Sequence, residues 1–190
     1  GERHDRVNAM LAAVGLLGQT DGFLKNPKVM IPLPGFLNDA AKLLKFTGQQ
    51  KRVDELVMAM NRAAEAAVPV AAKIFGDAIR GMTVDDVRGI LTGGDTAATE
   101  FFKRTSEKKL YTAFKPVVSK KVDEVGTTRA YKEMMGRYEQ VPLMQSKSLD
   151  LDDYVTRRAL DGVFYMVGQE EKQIRTNPAA RTTDLLKSVF

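Results

Sequence analysis

The sequence predicts an all-α protein, a single compact multi-helix bundle in which residues 1–190 form one helical domain. The first observation is that almost every apolar segment repeats at intervals of three and four residues, the spacing of an amphipathic helix. The second is size, because 190 residues of which 44% are hydrophobic suffice for one domain with a substantial core. The third is the segment that departs from this spacing, an extended, Pro-rich arm near residues 20–35.

Apolar spacing predicts five helices in the first half of the chain. Their expected spans are Val7–Gly18, Phe36–Phe46, 51–67, 70–80 and Thr83–Leu91. The helix over 51–67 has to stop before Pro69, because the residue before a proline is pushed toward extended geometry. Thr83 is followed by Asp85 and Asp86, which predicts a capped helix start with an acidic first turn.

Five more helices are expected in the second half. They start near Asp95 or Thr96, at Pro116, near Ala130 and near Asp150, and a short one carries Leu185 to Phe190. Pro116 suits the first turn of a helix, where its missing N–H is not needed, so we expect a separate helix that ends at Gly126. The helix from Asp150 is the longest and continues to about Thr176.

The arm near residues 20–35 is apolar as well as rich in proline. Pro27, Pro32 and Pro34 each remove a backbone donor and favour an extended residue before them. Its large apolar side chains need burial, and they are Phe23, Leu24, Val29, Met30, Ile31 and Leu33. We expect a connector that packs across the helices. The alternative is an edge that pairs with a partner chain.

The stretch ILTGGDTAATEFFKR, residues 90–104, places a glycine pair directly before a predicted helix. A phosphate-binding loop would follow a strand and would carry a Lys and a hydroxyl after its glycines. This stretch lies between two predicted helices, so we expect a rigid joint in which Asp95 accepts the free N–H groups of the next helix. Gly93 or Gly94 should be the left-handed residue that ends the preceding helix.

Basic residues are concentrated between residues 100 and 132. The chain has a net charge of +5, and this segment carries nine basic and four acidic residues, so nine minus four accounts for the whole excess. We interpret the segment as a solvated helical face. Nucleic-acid binding through residues 100–132 is an alternative that we rank lower, and it would require the basic side chains on one exposed face.

Several kinds of chemistry lack suitable residues. The chain has no Cys, and His4, close to its start, is its one His. Thiol and Ser–His catalysis, and zinc or copper sites of Cys and His, are therefore excluded. We predict no metal site, no cofactor and no catalytic residue. Apolar runs are only a few residues long, against the roughly 20 residues that cross a bilayer, so no transmembrane segment is predicted.

A polar cluster at the border of an apolar helix face is the first candidate site. Asn61, Arg62 and Glu65 are three or four residues apart and share one face of the predicted helix. They can form a buried network whose members satisfy one another. The alternative is a polar recognition site, in which Arg62 meets an anionic group.

Asp161 is a second candidate, because it is the one charge between residues 159 and 168. Arg157 and Arg158 lie one turn earlier, and we expect one of them to pair with it. An alternative function follows from the carboxylates, namely an enzyme that uses Glu65 or Asp161 as general acid or base. That function requires an open pocket that holds one of these side chains.

Four strings of the sequence carry a resemblance to a known family. They are NPKVMIPLP, MNRAAEAAVP, ILTGGDTAATEFFKR and YVTRRALDGVFYMV, and in this order they resemble the bacterial domain-of-unknown-function family numbered 4197. The similarity runs from about Gly18 to Phe190. It implies an exported protein of the cell envelope, in the periplasm, with no established activity and no catalytic residue. The chain begins GERHDRVNAM, without an initiating Met or a basic-then-apolar leader, so we expect either a trimmed chain or a mature product.

Together these observations predict a non-enzymatic bacterial cell-envelope protein that binds a protein partner or a small anionic or amphipathic, lipid-like ligand. The predicted anion contacts are Arg62, Arg104 and Lys115, and the predicted polar framework is Asn61, Glu65 and Asp161. The nine methionines and the alanine-rich helix faces are consistent with an adaptable apolar pocket.

Overall fold

A computed structural model describes residues 10–124 and 151–176 of the chain. Its helices are, in chain order, α1 (residues 10–15), α2 (Asn38–Phe46), α3 (Gln50–Ala67), α4 (Pro69–Arg80), α5 (Val84–Thr92), α6 (Ala97–Glu124) and α7 (Leu151–Thr176). Two 3-10 turns, Leu16–Gly18 and Gly35–Leu37, flank the arm. The described residues contain no strand, so the predicted all-α bundle is confirmed.

The core is built around α6 and α7, the two longest described helices. On α6, buried side chains recur at every fourth position: Ala98, Phe102, Ser106, Leu110, Phe114, Val118 and Val122. On α7 the same spacing holds for Leu151, Val155, Ala159, Val163, Val167 and Glu171. Because a helix has about 3.6 residues per turn, a row with this spacing rotates by about 40° at each step. The buried row therefore winds around each helix.

Aromatic rings join α4 and α7 to α6. The ring of Phe75 on α4 meets Phe102 on α6 edge to face, with ring centroids 5.5 Å apart. It meets Phe164 on α7 in the same way at 6.0 Å. Edge-to-face pairs of this kind stabilise a core beyond the area that they bury. The three helices thus share one apolar centre.

The predicted start of α5 is confirmed. The hydroxyl of Thr83 accepts the Asp86 N–H at 3.0 Å, and the Thr83 N–H donates to the Asp86 carboxylate at 3.0 Å. The pKa of Asp86 is lowered below its ordinary value, first by this bond from the Thr83 backbone and then by the bond with its hydroxyl. The predicted break before Pro69 is also confirmed, since α3 ends at Ala67 and α4 begins at Pro69, but Val68 between them keeps helical geometry, with φ −53 and ψ −39, instead of the expected extended geometry.

The prediction that Pro116 begins a separate helix was wrong, because α6 continues through it. A proline inside a helix removes one hydrogen bond and costs about 3 kcal/mol. Buried residues continue at every fourth position on both sides of it, with Leu110 and Phe114 before and Val118 and Val122 after. Packing of these four side chains offsets the cost of the lost hydrogen bond. A rule about adjacent residues does not take this packing into account.

The predicted packing of the arm across the helices is confirmed. Phe23 and Ile31 are fully buried. The ring of Phe23 lies against Gly162 of α7, where a side-chain Cβ would be 2.7 Å from its Cε1 atom. The hydroxyl of Tyr154, also on α7, donates to the Pro32 carbonyl at 2.6 Å. Glycine at position 162 therefore gives the arm room to contact α7.

Some predictions concern residues outside those that the structure describes. They are the chain start with His4, the helix end at Gly126, the helix near Ala130, and the short helix over Leu185–Phe190.

Candidate functional site

Asn61 holds the arm against α3. Its side-chain oxygen accepts the Ile31 N–H at 2.8 Å, and its side-chain nitrogen donates to the Ile31 carbonyl at 3.0 Å. The same nitrogen donates to the Val57 carbonyl, one turn earlier in α3, at 2.8 Å. Asn61 is fully buried, so its amide pairs with both backbone groups of Ile31 as a neighbouring strand would.

Glu65 holds the arm at a second point. One carboxylate oxygen, Oε2, accepts the N–H groups of Phe23 and Leu24, each at 3.1 Å. The other oxygen accepts a hydrogen bond from Arg62 at 2.9 Å, and Arg62 also forms an ion pair with Asp21 at 2.9 Å. The pKa of Arg62 is raised above its ordinary value, first because Glu65 accepts its hydrogen bond and also because Asp21 lies against it.

The predicted polar network is therefore present in part. Arg62 and Glu65 pair as expected, whereas Asn61 bonds to the arm and to neither of them. The anionic group that Arg62 meets is the carboxylate of Asp21, from the same chain. Both oxygens of the buried Glu65 are occupied, so its contacts are those of an anchor for the arm. A role for these three residues in binding an external ligand stays a prediction.

A second buried carboxylate, Glu171 on α7, caps the start of α6. Its Oε2 accepts the Ala98 N–H at 2.8 Å, and its Oε1 accepts both the N–H and the hydroxyl of Thr99, at 2.9 and 2.6 Å. Arg175, one turn later, pairs with Glu171 at 2.9 Å and donates to the Ile90 carbonyl of α5 at 2.9 Å. The corner between α5 and α6 is therefore tied to α7 on both sides.

The predicted helix joint at this corner is confirmed, but its cap is a different residue. Asp95 was expected to accept the free N–H groups, yet within the described residues the Ala98 and Thr99 N–H groups donate to Glu171 and none donates to the exposed Asp95. Glu171 takes that place because it is buried against the first turn of α6. A carboxylate of the protein thus already occupies the position where an external anion would bind.

The prediction of a left-handed glycine at this corner was wrong. Gly93 has φ −82 and ψ −178, which is extended geometry, and Gly94 does not have a positive φ either. Gly93 is needed for close packing instead. A Cβ at this position would lie 2.7 Å from the Ala97 Cβ and 2.7 Å from the Gly89 carbonyl oxygen.

A groove of about 560 Å³ opens between α6 and α7. Its lining residues are Lys103, Arg104, Glu107, Lys108 and Tyr111 from α6, and Arg157, Leu160 and Asp161 from α7. The residues from each helix are one, three or four positions apart, which places them on one side of that helix. Four cationic and two anionic side chains give the lining an excess of two positive charges.

The cationic side chains of this region lie against aromatic rings. The distances from charged group to ring centroid are 5.0 Å for Arg157 and 5.6 Å for Lys115 over Tyr111, 5.7 Å for Arg104 over Phe101, and 6.0 Å for Lys103 over Phe164. Such contacts lie within the range of cation–π attraction. They hold long, otherwise flexible side chains in defined positions along the groove.

Asp153 fixes one wall of the groove. The Tyr111 hydroxyl donates to its carboxylate, and the Arg157 Nε donates to both of its oxygens, at 3.1 and 3.0 Å. The pKa of Asp153 is lowered below its ordinary value, first by the hydrogen bond from Tyr111 and then by Arg157, although desolvation acts in the other direction. Tyr111 and Arg157 are therefore positioned before any ligand binds.

The prediction that Asp161 pairs with Arg157 or Arg158 was wrong. Asp161 is exposed at the groove and makes no hydrogen bond or ion pair with any residue of the described ranges. Arg157 bonds to Asp153 instead, whose carboxylate Tyr111 already orients. The guanidinium of Arg158 lies 5.7 Å from the Tyr154 ring centroid. Asp161 thus leaves a carboxylate open to the groove.

The six predicted binding residues fall into two places. Arg104 and Asp161 line the groove, and Lys115 borders it through the Tyr111 ring. The other three, Asn61, Arg62 and Glu65, contact the arm. Sequence reasoning missed Lys103, Lys108, Tyr111 and Arg157, although a signal was present. Positions 103, 107 and 111 on α6, and 153, 157 and 161 on α7, are each four residues apart.

The chain matches one family model over nearly its whole length. The model is described as a protein of unknown function (DUF4197), and it matches residues 7–190. No curated protein and no solved structure matches the chain. Within residues 10–124 and 151–176, no helix has both the length and the apolar character needed to cross a bilayer. The family match agrees with the resemblance carried by the four strings, and the chain belongs to the DUF4197 family.

Proposed function

We propose that this protein is a non-enzymatic binding protein of the bacterial cell envelope, and that the groove between α6 and α7 takes a small anionic, amphipathic ligand. The observation that carries the proposal is the lining of the groove. Four cationic side chains stand there beside the partly exposed ring of Tyr111 and an almost fully buried Leu160. The envelope location is supported by the family resemblance alone.

The lining suggests which groups the ligand carries. Arg104 and Lys108 are exposed and offer N–H donors to an anionic group, such as a carboxylate or a phosphate. The partly exposed Tyr111 ring would contact an apolar part of the ligand, since Leu160 is almost fully buried. The open carboxylate of Asp161 would accept a hydrogen bond from a hydroxyl or an ammonium group. One anionic group, one apolar part and one donor define the ligand class.

The geometry favours a small ligand over nucleic acid. Lys109 does not line this groove but a second pocket of about 290 Å³, which it shares with Arg104, Asp77 and Asp86. Lys103 and Lys108 thus lie in one place, Lys109 lies in the other and Arg104 borders both, and each place also contains carboxylates. A phosphate backbone needs a continuous cationic track, which these carboxylates interrupt, whereas a single anionic group of a small ligand needs only the donors of Arg104 and Lys108.

A small ligand is also favoured over a carboxylate-dependent enzyme. Glu65 is buried, and backbone and guanidinium donors occupy both of its oxygens. Asp161 is exposed and has no described partner that would orient it toward a substrate. General acid–base catalysis needs a carboxylate held within hydrogen-bond reach of the reacting atom.

Two measurements test the proposal. The first is native mass spectrometry of gently purified protein, and the second is the binding of a defined fluorescent probe. Anilinonaphthalene sulfonate is a suitable probe, because it joins one sulfonate to an aromatic system and fluoresces when it leaves water. We expect a co-purifying small molecule on the wild-type protein, and saturable probe binding that this molecule displaces. Lys108→Glu should weaken probe binding by about tenfold, since it removes one charged hydrogen-bond donor from the groove.

Lys172→Glu is the matched control. Lys172 is an exposed lysine of α7 outside the groove, so the substitution changes the net charge equally and should leave probe binding unchanged. Equal losses in Lys108→Glu and Lys172→Glu would contradict the groove as the site. A wild-type protein that is an empty monomer and does not bind the probe would overturn the ligand proposal in favour of a protein partner.

A further inference from the structure

Phe46, the last residue of α2, is the most exposed large apolar side chain of the described residues, with 89% of its surface accessible. The buried residues of α2 are Ala40, Ala41 and Leu44. At about 100° per residue, Phe46 lies on the opposite side of the helix from these three. Leu43, one turn earlier, is also 44% exposed. The outer face of α2 therefore ends in an apolar tip.

Hydrogen bonds hold this tip in place. The Gly48 N–H donates to the Lys45 carbonyl at 3.1 Å, and the Gln49 N–H donates to the Leu44 carbonyl at 2.7 Å. Gly48 has φ 79, the left-handed geometry that commonly ends a helix. Leu44 is fully buried and anchors the turn to the core. Phe46 is thus presented to solvent by an ordered helix end.

Basic residues surround the tip. The segment KLLKFTGQQKR, residues 42–52, contains four basic and no acidic residues. Lys42, Lys45 and Lys51 are exposed and make no ion pair with any residue that the structure describes. The nearest acidic residues along the chain are Asp39 on α2, two turns before Phe46, and Asp54 and Glu55 on α3, where Asp54 accepts a hydrogen bond from the Gln50 side chain at 2.8 Å. An exposed aromatic residue among unpaired lysines is the combination that binds the surface of an anionic bilayer.

We propose that the corner formed by residues 42–52 docks on an anionic lipid surface, with Phe46 inserted among the headgroups and acyl chains. The lysines supply the charge complementarity, and each lysine near an anionic surface strengthens binding by about fivefold. A single aromatic residue is not enough for stable anchoring, so binding is reversible and depends on the lipid charge. This surface is separate from the groove between α6 and α7 and does not depend on its ligand.

A fluorescent variant at the tip tests the docking directly. The chain contains no Trp, so the emission of Phe46→Trp reports on position 46 alone. We expect a blue shift when vesicles of phosphatidylcholine and phosphatidylglycerol are added, and no shift with phosphatidylcholine alone. Replacing Lys42 and Lys45 by Gln in that variant should weaken vesicle binding by about 25-fold, the product of two fivefold effects.

Val84→Trp is the matched control. Val84 is another exposed apolar residue, at 74%, but Asp85 and Asp86 follow it directly. Its emission should stay unchanged with both kinds of vesicle. Phe46→Ser should sediment with anionic vesicles less than the wild-type protein, without loss of folding. The proposal is overturned by an unshifted Phe46→Trp with anionic vesicles, by an equal shift in Val84→Trp, or by undiminished sedimentation of Phe46→Ser.

Discussion

Glu171 and Thr99 are joined by two hydrogen bonds across 72 residues of sequence, because one oxygen of Glu171 accepts both the N–H and the hydroxyl of Thr99. Only 1% of the Glu171 surface is exposed. The free N–H groups at the start of α6 are therefore satisfied by a carboxylate from another helix. Glu65 does the same for two N–H groups of the arm. Two buried glutamates thus attach distant segments to the bundle.

Replacement of Glu171 by Ala should lower the free energy of unfolding by about 3–5 kcal/mol, the typical cost of removing one partner from a buried ion pair. Arg175 would lose its carboxylate partner and keep only the Ile90 carbonyl, and two N–H groups of α6 would lose their acceptor. Urea denaturation followed by circular dichroism measures this change. Asp95→Ala is the control, and as an exposed substitution it should stay within about 0.5 kcal/mol. A larger loss of unfolding free energy in Asp95→Ala than in Glu171→Ala would show that Asp95 is the cap.

Asn61→Leu should detach the arm from α3. The substitution keeps the same branched shape but leaves the Ile31 N–H and carbonyl without partners, at about 1–3 kcal/mol for each unsatisfied group. We expect a total loss of about 2–6 kcal/mol in urea denaturation, and much faster hydrogen exchange at the Ile31 amide. Asn26→Ala removes only an exposed bond to the Lys28 N–H, so it should cost less than about 1 kcal/mol. Unchanged exchange at Ile31 would contradict the anchor.

Gly162→Ala should destabilise the protein by about 1–2 kcal/mol, because the new methyl group overlaps the Phe23 ring. Gly168→Ala, on the same helix, should instead stabilise it by up to about 1 kcal/mol through helix propensity. A Cβ at position 168 has its nearest neighbour at 3.7 Å, an ordinary contact. Thermal and urea denaturation measure the stability of each variant against that of the wild-type protein.

A second substitution shows whether the effect at position 162 comes from Phe23. Phe23→Leu removes the ring edge, so it should cost less in the Gly162→Ala background than in the wild-type protein. The coupling energy of this double-mutant cycle should exceed about 0.5 kcal/mol. Strictly additive effects would mean that the methyl group at position 162 meets some other obstacle.

Tyr111→Phe should destabilise the protein near neutral pH, and the difference from the wild type should shrink in acid. Asp153 has a pKa lowered from 3.8 in the folded protein, first by the Tyr111 hydroxyl. A lowered carboxylate pKa stabilises the fold fully above the unfolded value of 3.8, and this contribution is lost as pH falls through the lower folded-state pKa. Denaturant titrations of both proteins at a series of pH values measure the difference, and a constant gap down to strong acid would contradict the assignment.

Local sequence patterns predicted the helices well because their causes are local. The apolar spacing of α3 and the Thr83 cap of α5 each depend on residues within one or two turns. Pro116 was misassigned for the complementary reason, since packing of distant side chains outweighs the local rule. Neighbouring residues decide where a helix can start, and the core decides whether it continues.

The candidate sites were harder to predict than the helices. Asn61 and Glu65 were visible as polar residues on an apolar face, but their partners in the arm lie 30 and 42 residues away. Glu171 gave no signal at all, because a glutamate near the end of a long helix resembles any solvated one. The groove required two helices to meet, so Arg104 and Asp161 could be chosen singly but not as a pair.

The buried rows on α6 and α7, with one residue at every fourth position, are compatible with more than one alignment of the two helices. Apolar packing alone distinguishes poorly between these alignments. If α7 slid along α6 by four residues, about 6 Å, each row would fall almost on itself. Glu171 would then face the level of Gly94 or of Phe102 instead of Ala98. Only the first turn of α6 offers free helix N–H groups, so in either shifted arrangement Glu171 would keep Arg175 of its own helix but would lose its backbone N–H partners while it stays buried. The hydrogen bonds of Glu171 to the start of α6 therefore set the register between α6 and α7, the two longest helices that the structure describes.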